Sequence, residues 1–112
     1  MPTYNIRFRS AAFPHDRGDR VVSVGLRLYE GDRYVQFYEV LAMAVNETTE
    51  AKHRACLDAI STLHDYIREE GVVPSTDPTK AIELHPGGFR VVGGIVPDFT
   101  DGATVLTFST DD

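Results

Sequence analysis

One stretch of the sequence, residues 46–71, constrains the fold more than any other because it alone carries a sustained helical period. Its apolar side chains recur three or four positions apart, which places them on one face of a helix. The positions of this stripe are Cys56, Ile60, Leu63 and Ile67, with Leu57, Ala59 and His64 beside them. A helix of about 24 residues would be roughly 36 Å long, enough to lie across a whole sheet.

Both ends of this stretch carry residues that are typical of helix ends. Asn46 or Thr48 can cap the first turn with a side-chain oxygen. Glu47 and Glu50 suit the positive end of the helix dipole. Gly71 can adopt the left-handed conformation that commonly follows the last turn. The sequence therefore predicts one long helix whose two ends are defined by local chemistry.

Three segments before the helix alternate between apolar and polar residues, which is the pattern of half-buried strands. They are residues 3–9, 20–30 and 34 to about 45, with a loop expected over 10–19. The side chains expected to face the helix are Tyr4, Ile6, Phe8, Val22, Val24, Leu26, Leu28, Val35 and Phe37. Gly31-Asp32 predicts a tight hairpin between the second and third strands. Glu39 interrupts the third pattern, so we expect either a bulge or a half-buried acid there.

After the helix, prolines and glycines separate further short strands. Strands are expected at 81–84, 89–96 and 103–109, with a connection at 72–79 and turns at 85–88 and 97–102. The strand at 89–96 is apolar on both faces, which is typical of a central strand or of one covered by a partner. The predicted order is β-β-β-α-β-β-β. We therefore expect a single α+β domain over residues 1–112, with a mostly antiparallel sheet of about six strands packed on one long helix.

Composition narrows the class of protein and its setting. Of the 112 residues 42% are hydrophobic and 25% are charged, which is ordinary for a globular domain. No apolar run approaches the roughly 18 residues of a membrane span, and the first ten residues do not resemble a secretion signal. Cys56 is the single cysteine, so no internal disulfide can form. These observations favour a cytoplasmic protein without membrane contact.

Charge is distributed unevenly along the chain, whose net charge is −6. Residues 1–33 hold six basic and four acidic side chains, whereas residues 34–112 hold five basic and thirteen acidic ones. If the even-numbered residues of the first two strands face the helix, the opposite sheet face carries arginine and tyrosine. The expected members are Arg7, Arg9, Arg27, Tyr29, Tyr34, Gln36 and Tyr38. This surface is the candidate binding site.

Arginine interleaved with tyrosine occurs both in protein-interface hot spots and on surfaces that stack bases and hold phosphates. The acidic net charge opposes nucleic-acid binding, because nonspecific affinity for nucleic acid is largely charge neutralisation. Contact with a protein is therefore the favoured hypothesis, and nucleic acid is the less favoured one.

Polar groups that could line a pocket between helix and sheet are Glu39, His53 and His64. The two histidines are eleven positions apart on the helix, roughly 16 Å, which is too far for shared ligation of one metal ion. Cys56 lies on the apolar stripe, where a small buried thiol is the expected interpretation. The sequence contains no motif that predicts a catalytic residue, a metal site or a cofactor, and none that assigns the chain to a family.

Three function classes follow from these patterns. The favoured one is a small acidic, non-catalytic protein that acts through protein–protein contacts, as inhibitors, adaptors and immunity-type proteins of bacteria and phages do. The alternatives are a ligand-binding domain or small enzyme with a pocket between helix and sheet, and a nucleic-acid binder. One helix covers only one sheet face, and the strand at 89–96 carries apolar groups on both sides, so we also expect a homodimer through the sheet.

Overall fold

The computed structural model describes residues 3–12, 20–46, 48–72, 80–84 and 94–109. Within these ranges the elements are β1 (Thr3–Ala12), β2 (Val21–Glu30), β3 (Arg33–Met43), α1 (Thr49–Glu70), β4 (Ile82–Leu84) and β5 (Thr104–Ser109). The strands form one sheet in the order β4-β3-β2-β1-β5. Neighbouring strands are antiparallel except β3 and β4, which are parallel. The predicted α+β class, with one helix on a mostly antiparallel sheet, is confirmed.

The strand count differs from the prediction because the expected strand at 89–96 does not form over residues 94–96. Gly94 has a φ of +89°, which turns the chain away from an extended path. The N–H of Val96 donates a hydrogen bond of 2.8 Å to the carbonyl of Val105, so the segment still touches the edge of β5. The first part of that predicted strand, residues 89–93, lies outside the described residues, as do the connection at 73–79 and the turn at 85–88.

The ends of α1 follow the sequence prediction and settle which residue caps it. Thr48 is the N-cap, and its hydroxyl accepts a hydrogen bond of 3.2 Å from the N–H of Ala51. Asn46 instead braces the cap, because its Oδ1 accepts bonds from the N–H and the hydroxyl of Thr48 at 3.0 and 2.6 Å. At the other end Gly71 has a φ of +82° and donates to the carbonyl of Ile67 at 2.9 Å.

The core lies between α1 and the face of the sheet that we call the inner face. The predicted stripe is buried in full, since Cys56, Ile60, Leu63 and Ile67 are each at most 1% exposed. The helix packs over β2 and β3. The side chains of the first two strands that were expected to face the helix are all buried: Tyr4, Ile6, Phe8, Val22, Val24, Leu26 and Leu28.

Strand β1 is three residues longer than predicted, because a bulge at Arg9 hides its continuation. Phe8 pairs with Leu26 and Ser10 with Gly25, which leaves Arg9 as an extra residue. A bulge breaks the strict alternation by which a strand is recognised in a sequence. The segment assigned to a loop from residue 10 therefore begins as strand and stays in the sheet through residue 12.

Strand β3 also contains a bulge, four residues before the position at which the sequence suggested one. Tyr29 pairs with Tyr34 and Leu28 pairs with Gln36, so Val35 is the extra residue. One inserted residue moves every later side chain to the other face of the sheet, because the side-chain period of a strand is two.

This shift corrects four predicted placements. Phe37, expected to face the helix, lies on the opposite or outer face, where Arg27 is its cross-strand partner. Gln36 and Tyr38, expected on the outer face, lie on the inner face and are 6% and 0% exposed. Glu39 is on the outer face as a half-buried acid, and its carboxylate accepts a hydrogen bond of 2.8 Å from the hydroxyl of Ser23.

Tyr38 sits in the core with a polar atom that has no hydrogen-bond partner in the described structure. Its ring meets the edge of Tyr66 at 6.0 Å, and burial raises the pKa of its phenol to about 12. An unsatisfied buried hydroxyl is costly, so Tyr38→Phe should raise the free energy of unfolding by about 1–2 kcal/mol. Urea melts of the two proteins measure this change. A loss of stability would mean that the hydroxyl donates a hydrogen bond in solution.

Candidate functional site

Arginines and aromatic rings gather on the outer face of the sheet, along β1, β2 and β3. We call this group the arginine–aromatic cluster, and its members are Arg7, Arg9, Arg27, Tyr29, Tyr34 and Phe37. Five of them were predicted from the sequence. Tyr38 was predicted as well, but it is buried on the inner face, and Phe37 takes its place on the surface.

The first half of the cluster is a stack of three side chains. The guanidinium carbon of Arg7 lies 4.0 Å from the ring centroid of Tyr29, and Tyr29 meets Tyr34 edge-on at 5.7 Å. Stacking uses the flat face of a guanidinium, while its N–H donors lie along its edge. Arg7 is thus held in place without losing its capacity to bind an anion.

The second half depends on a glycine. The guanidinium carbon of Arg9 on β1 lies 4.8 Å from the ring centroid of Phe37 on β3, across the intervening strand β2. Gly25 occupies that strand between them. A Cβ at Gly25 would lie 3.2 Å from the Oγ of Ser10 and 3.4 Å from Cε1 of Phe37. The absence of a side chain at Gly25 lets side chains of β1 and β3 make contact over β2.

Arg7 and Arg27 lie directly opposite each other in the β1–β2 ladder. Two like charges in this position destabilise a sheet. In the described parts of the chain each arginine has an acidic neighbour: Asp32 lies 3.7 Å from Nη2 of Arg7, and Asp101 lies 3.7 Å from Nη1 of Arg27. These separations are longer than a charge-assisted hydrogen bond of about 2.7–2.9 Å, so both pairs are loose.

The tyrosine at the margin of the cluster stays neutral at physiological pH. Burial raises the pKa of the Tyr34 phenol, and the nearby positive charge of Arg27 opposes that shift without cancelling it. A neutral phenol keeps its O–H as a donor for an anionic or carbonyl acceptor.

The polar groups predicted for a pocket are not brought together. Glu39 lies on the outer face, whereas both histidines lie on the helix. His53 is exposed with its ring 5.1 Å from that of Phe99, and His64 is buried with its ring 4.8 Å from that of Phe108. In the ranges that the structure describes, no three His, Cys, Asp or Glu side chains are grouped as ligands of a metal ion.

Cys56 is 1% exposed at the helix–sheet contact. Burial raises the pKa of its thiol to about 11, with a smaller opposing influence from the charge of Lys52. Since the thiolate is the nucleophilic form, this cysteine is chemically quiet at neutral pH.

Three residues of the site were missed by reasoning from the sequence: Phe37, Asp32 and Asp101. The bulge at Val35 concealed Phe37. A signal was nevertheless present, because a glycine inside a strand pattern, here Gly25, indicates close approach of neighbouring groups. The two acids lie in turns, and no sequence pattern connects them with the arginines.

No family model matches the chain, and comparison with curated proteins and with solved structures gives no significant match. In the described part of the chain, the helix is too polar to cross a membrane.

Proposed function

We propose that the protein is a small acidic, non-catalytic binding protein whose arginine–aromatic cluster contacts an acidic surface of a protein partner. The observation that supports this proposal most directly is the cross-strand pair of Arg7 and Arg27. Such a pair costs stability in the free protein. An anionic partner surface would offset that cost, and it would be attracted to the one described face where three arginines gather.

The aromatic part of the cluster favours a protein as the partner. Arginine and tyrosine are enriched among residues that dominate the energy of protein interfaces. The stacks of Arg7 on Tyr29 and of Arg9 on Phe37 also order long side chains before binding, which lowers the entropy lost on association. This chemistry suits an inhibitor, adaptor or immunity-type protein, and the single thiol of Cys56 suits the cytoplasm.

A second copy of the chain is an alternative occupant of the outer face. A two-fold axis through the cluster would place arginines against the same arginines of the other copy, so an acidic partner is favoured. Light scattering at micromolar concentration separates the two cases. A mass near 12.4 kDa that is unchanged on tenfold concentration agrees with an acidic partner, and twice that mass would support the homodimer.

The remaining classes are less well supported. A nucleic-acid strand could stack on Tyr34 and Phe37, but the net charge of −6 opposes it. A ligand pocket or small enzyme would need convergent polar groups between helix and sheet. Glu39 faces away from His53 and His64, so that predicted set does not converge.

Capture of partners from an extract of the source organism tests the proposal. The immobilised wild-type protein is compared with Arg7→Glu/Arg27→Glu and with Arg33→Glu as a control for charge reversal. Arg33 is 70% exposed and pairs with Glu30 at 3.0 Å, outside the cluster. We expect the double variant to capture about one tenth as much partner as the wild type, or less, which corresponds to a loss of ~1.4 kcal/mol in binding free energy. The control should capture as much as the wild type. The same proteins at the same yield from all three would refute the proposal.

A further inference from the structure

We propose that the Arg7–Arg27 pair is a carboxylate-binding site, which Asp32 and Asp101 occupy in the free protein and from which a carboxylate-rich segment of the partner displaces them. This inference rests on the proposed function and names the chemistry of the contact. It adds that the site is masked by the protein's own acids until the partner binds.

The two acids approach the arginine pair from opposite directions along β1. Asp32 belongs to the β2–β3 hairpin, where the N–H of Gly31 donates to the carbonyl of Thr3 at 3.1 Å. Asp101 belongs to the turn before β5, where the N–H of Gly102 donates to the carbonyl of Phe8 at 2.8 Å. Each acid reaches a different arginine of the pair, so that one carboxylate lies beside each guanidinium.

Both occupants are suited to displacement. Their carboxylate oxygens lie 3.7 Å from the guanidinium nitrogens. The Asp32 side chain is fully exposed to solvent, and the Asp101 side chain is 71% exposed. Water screens such exposed ion pairs, so each contributes little to stability. The arginines are more buried than the acids, since Arg7 and Arg27 are only 30% and 36% exposed. A partner carboxylate could instead form two parallel hydrogen bonds with a guanidinium edge.

Carboxylates fit the site better than phosphates for two reasons. The groups that already lie at the arginines are carboxylates. A nucleic-acid backbone would in addition meet the repulsion of a protein with net charge −6, whereas a short acidic peptide segment needs contact only with the cluster.

The test uses a fluorescein-labelled hexaglutamate peptide and the folded protein, with binding followed by fluorescence anisotropy at low salt. Asp32→Asn/Asp101→Asn removes both internal carboxylates. Glu69→Gln/Glu70→Gln is the matched control, because it removes the same charge from exposed positions at the end of α1. We expect the first variant to bind hexaglutamate about 3- to 10-fold more tightly than the control, as expected for the loss of two exposed ion pairs. Adding Arg7→Gln/Arg27→Gln to the Asp32→Asn/Asp101→Asn variant should abolish this gain in affinity.

Equal affinities of the two charge-matched variants would overturn the masking, and an absence of hexaglutamate binding in every variant would overturn the carboxylate site. If Asp32→Asn/Asp101→Asn increases the affinity for a single-stranded oligothymidylate more than the affinity for hexaglutamate, the arginine pair is a phosphate site instead. Each of these results leaves the proposed function open to its own test. Partner capture that depends on Arg7 and Arg27 would still support the proposed function, with a contact other than the one between carboxylate and arginine.

Discussion

Replacing Ile60 or Leu63 by alanine is expected to lower the free energy of unfolding by about 2–5 kcal/mol in each case. Both side chains are 0% exposed and belong to the helix stripe that packs on the sheet. Truncation removes apolar area from the core and leaves a cavity, because β2 and β3 are held by their ladder and cannot collapse into the space. Urea melts at neutral pH measure the loss.

Leu57→Ala supplies the control, since Leu57 is on the same helix but only half-buried. Its loss should be clearly smaller than that of either core variant. Losses below about 1 kcal/mol for both Ile60→Ala and Leu63→Ala would mean that the stripe does not form the helix–sheet contact in solution.

Alkaline pH should destabilise the protein through Cys56. The thiol has an ordinary pKa near 9 when the chain is unfolded, and burial raises that pKa to about 11 in the fold. Between these values the unfolded chain loses the proton and the folded chain keeps it, so the unfolded state is favoured as the pH rises. The difference between the two pKa values corresponds to about 2–3 kcal/mol in the free energy of unfolding. This stability is present in full below pH 9 and is lost by pH 11.

Urea melts at several pH values across this window measure the effect, with Cys56→Ala as the comparison. The alanine variant is less stable at neutral pH because of its smaller side chain, but it should lose less stability on going to high pH. Tyr38, with a pKa of about 12, titrates in both proteins and cancels in the comparison. Parallel pH profiles, or rapid labelling of the native thiol at neutral pH, would show that Cys56 is accessible to water.

The elements that could be predicted from the sequence are those whose packing is one-sided and uninterrupted. The stripe of α1 and the inner face of β2 repeat with periods of 3.6 and 2, because one face of each is buried throughout. Caps at Thr48 and Gly71 then gave the helix its ends. Strand positions beyond the bulges at Arg9 and Val35 were not predictable, because neither bulge contains a glycine or another residue that marks it.

The candidate site was predictable in its residue types and not in its geometry. Arg7, Arg27 and Tyr29 follow from the alternation of β1 and β2. That Arg7 lies opposite Arg27 depends on the register of the two strands, which the alternation alone leaves undetermined by steps of two residues. The placement of Asp101 depends on the pairing of β5 with the edge of β1. The parallel pairing of β4 with β3 on the other side of the sheet could not be predicted from periodicity either.

The pairing of β5 with β1 joins parts of the chain that are synthesised far apart in time. The hydrogen bond from Thr107 to Asn5 spans 102 positions, whereas β1, β2 and β3 follow one another along the chain. On the ribosome the three-stranded meander and α1 can therefore assemble while the edge of β1 that receives β5 is still unpaired. An unpaired strand edge invites pairing with other chains. The nascent protein is accordingly most exposed to aggregation in the interval before β5 emerges and closes the sheet.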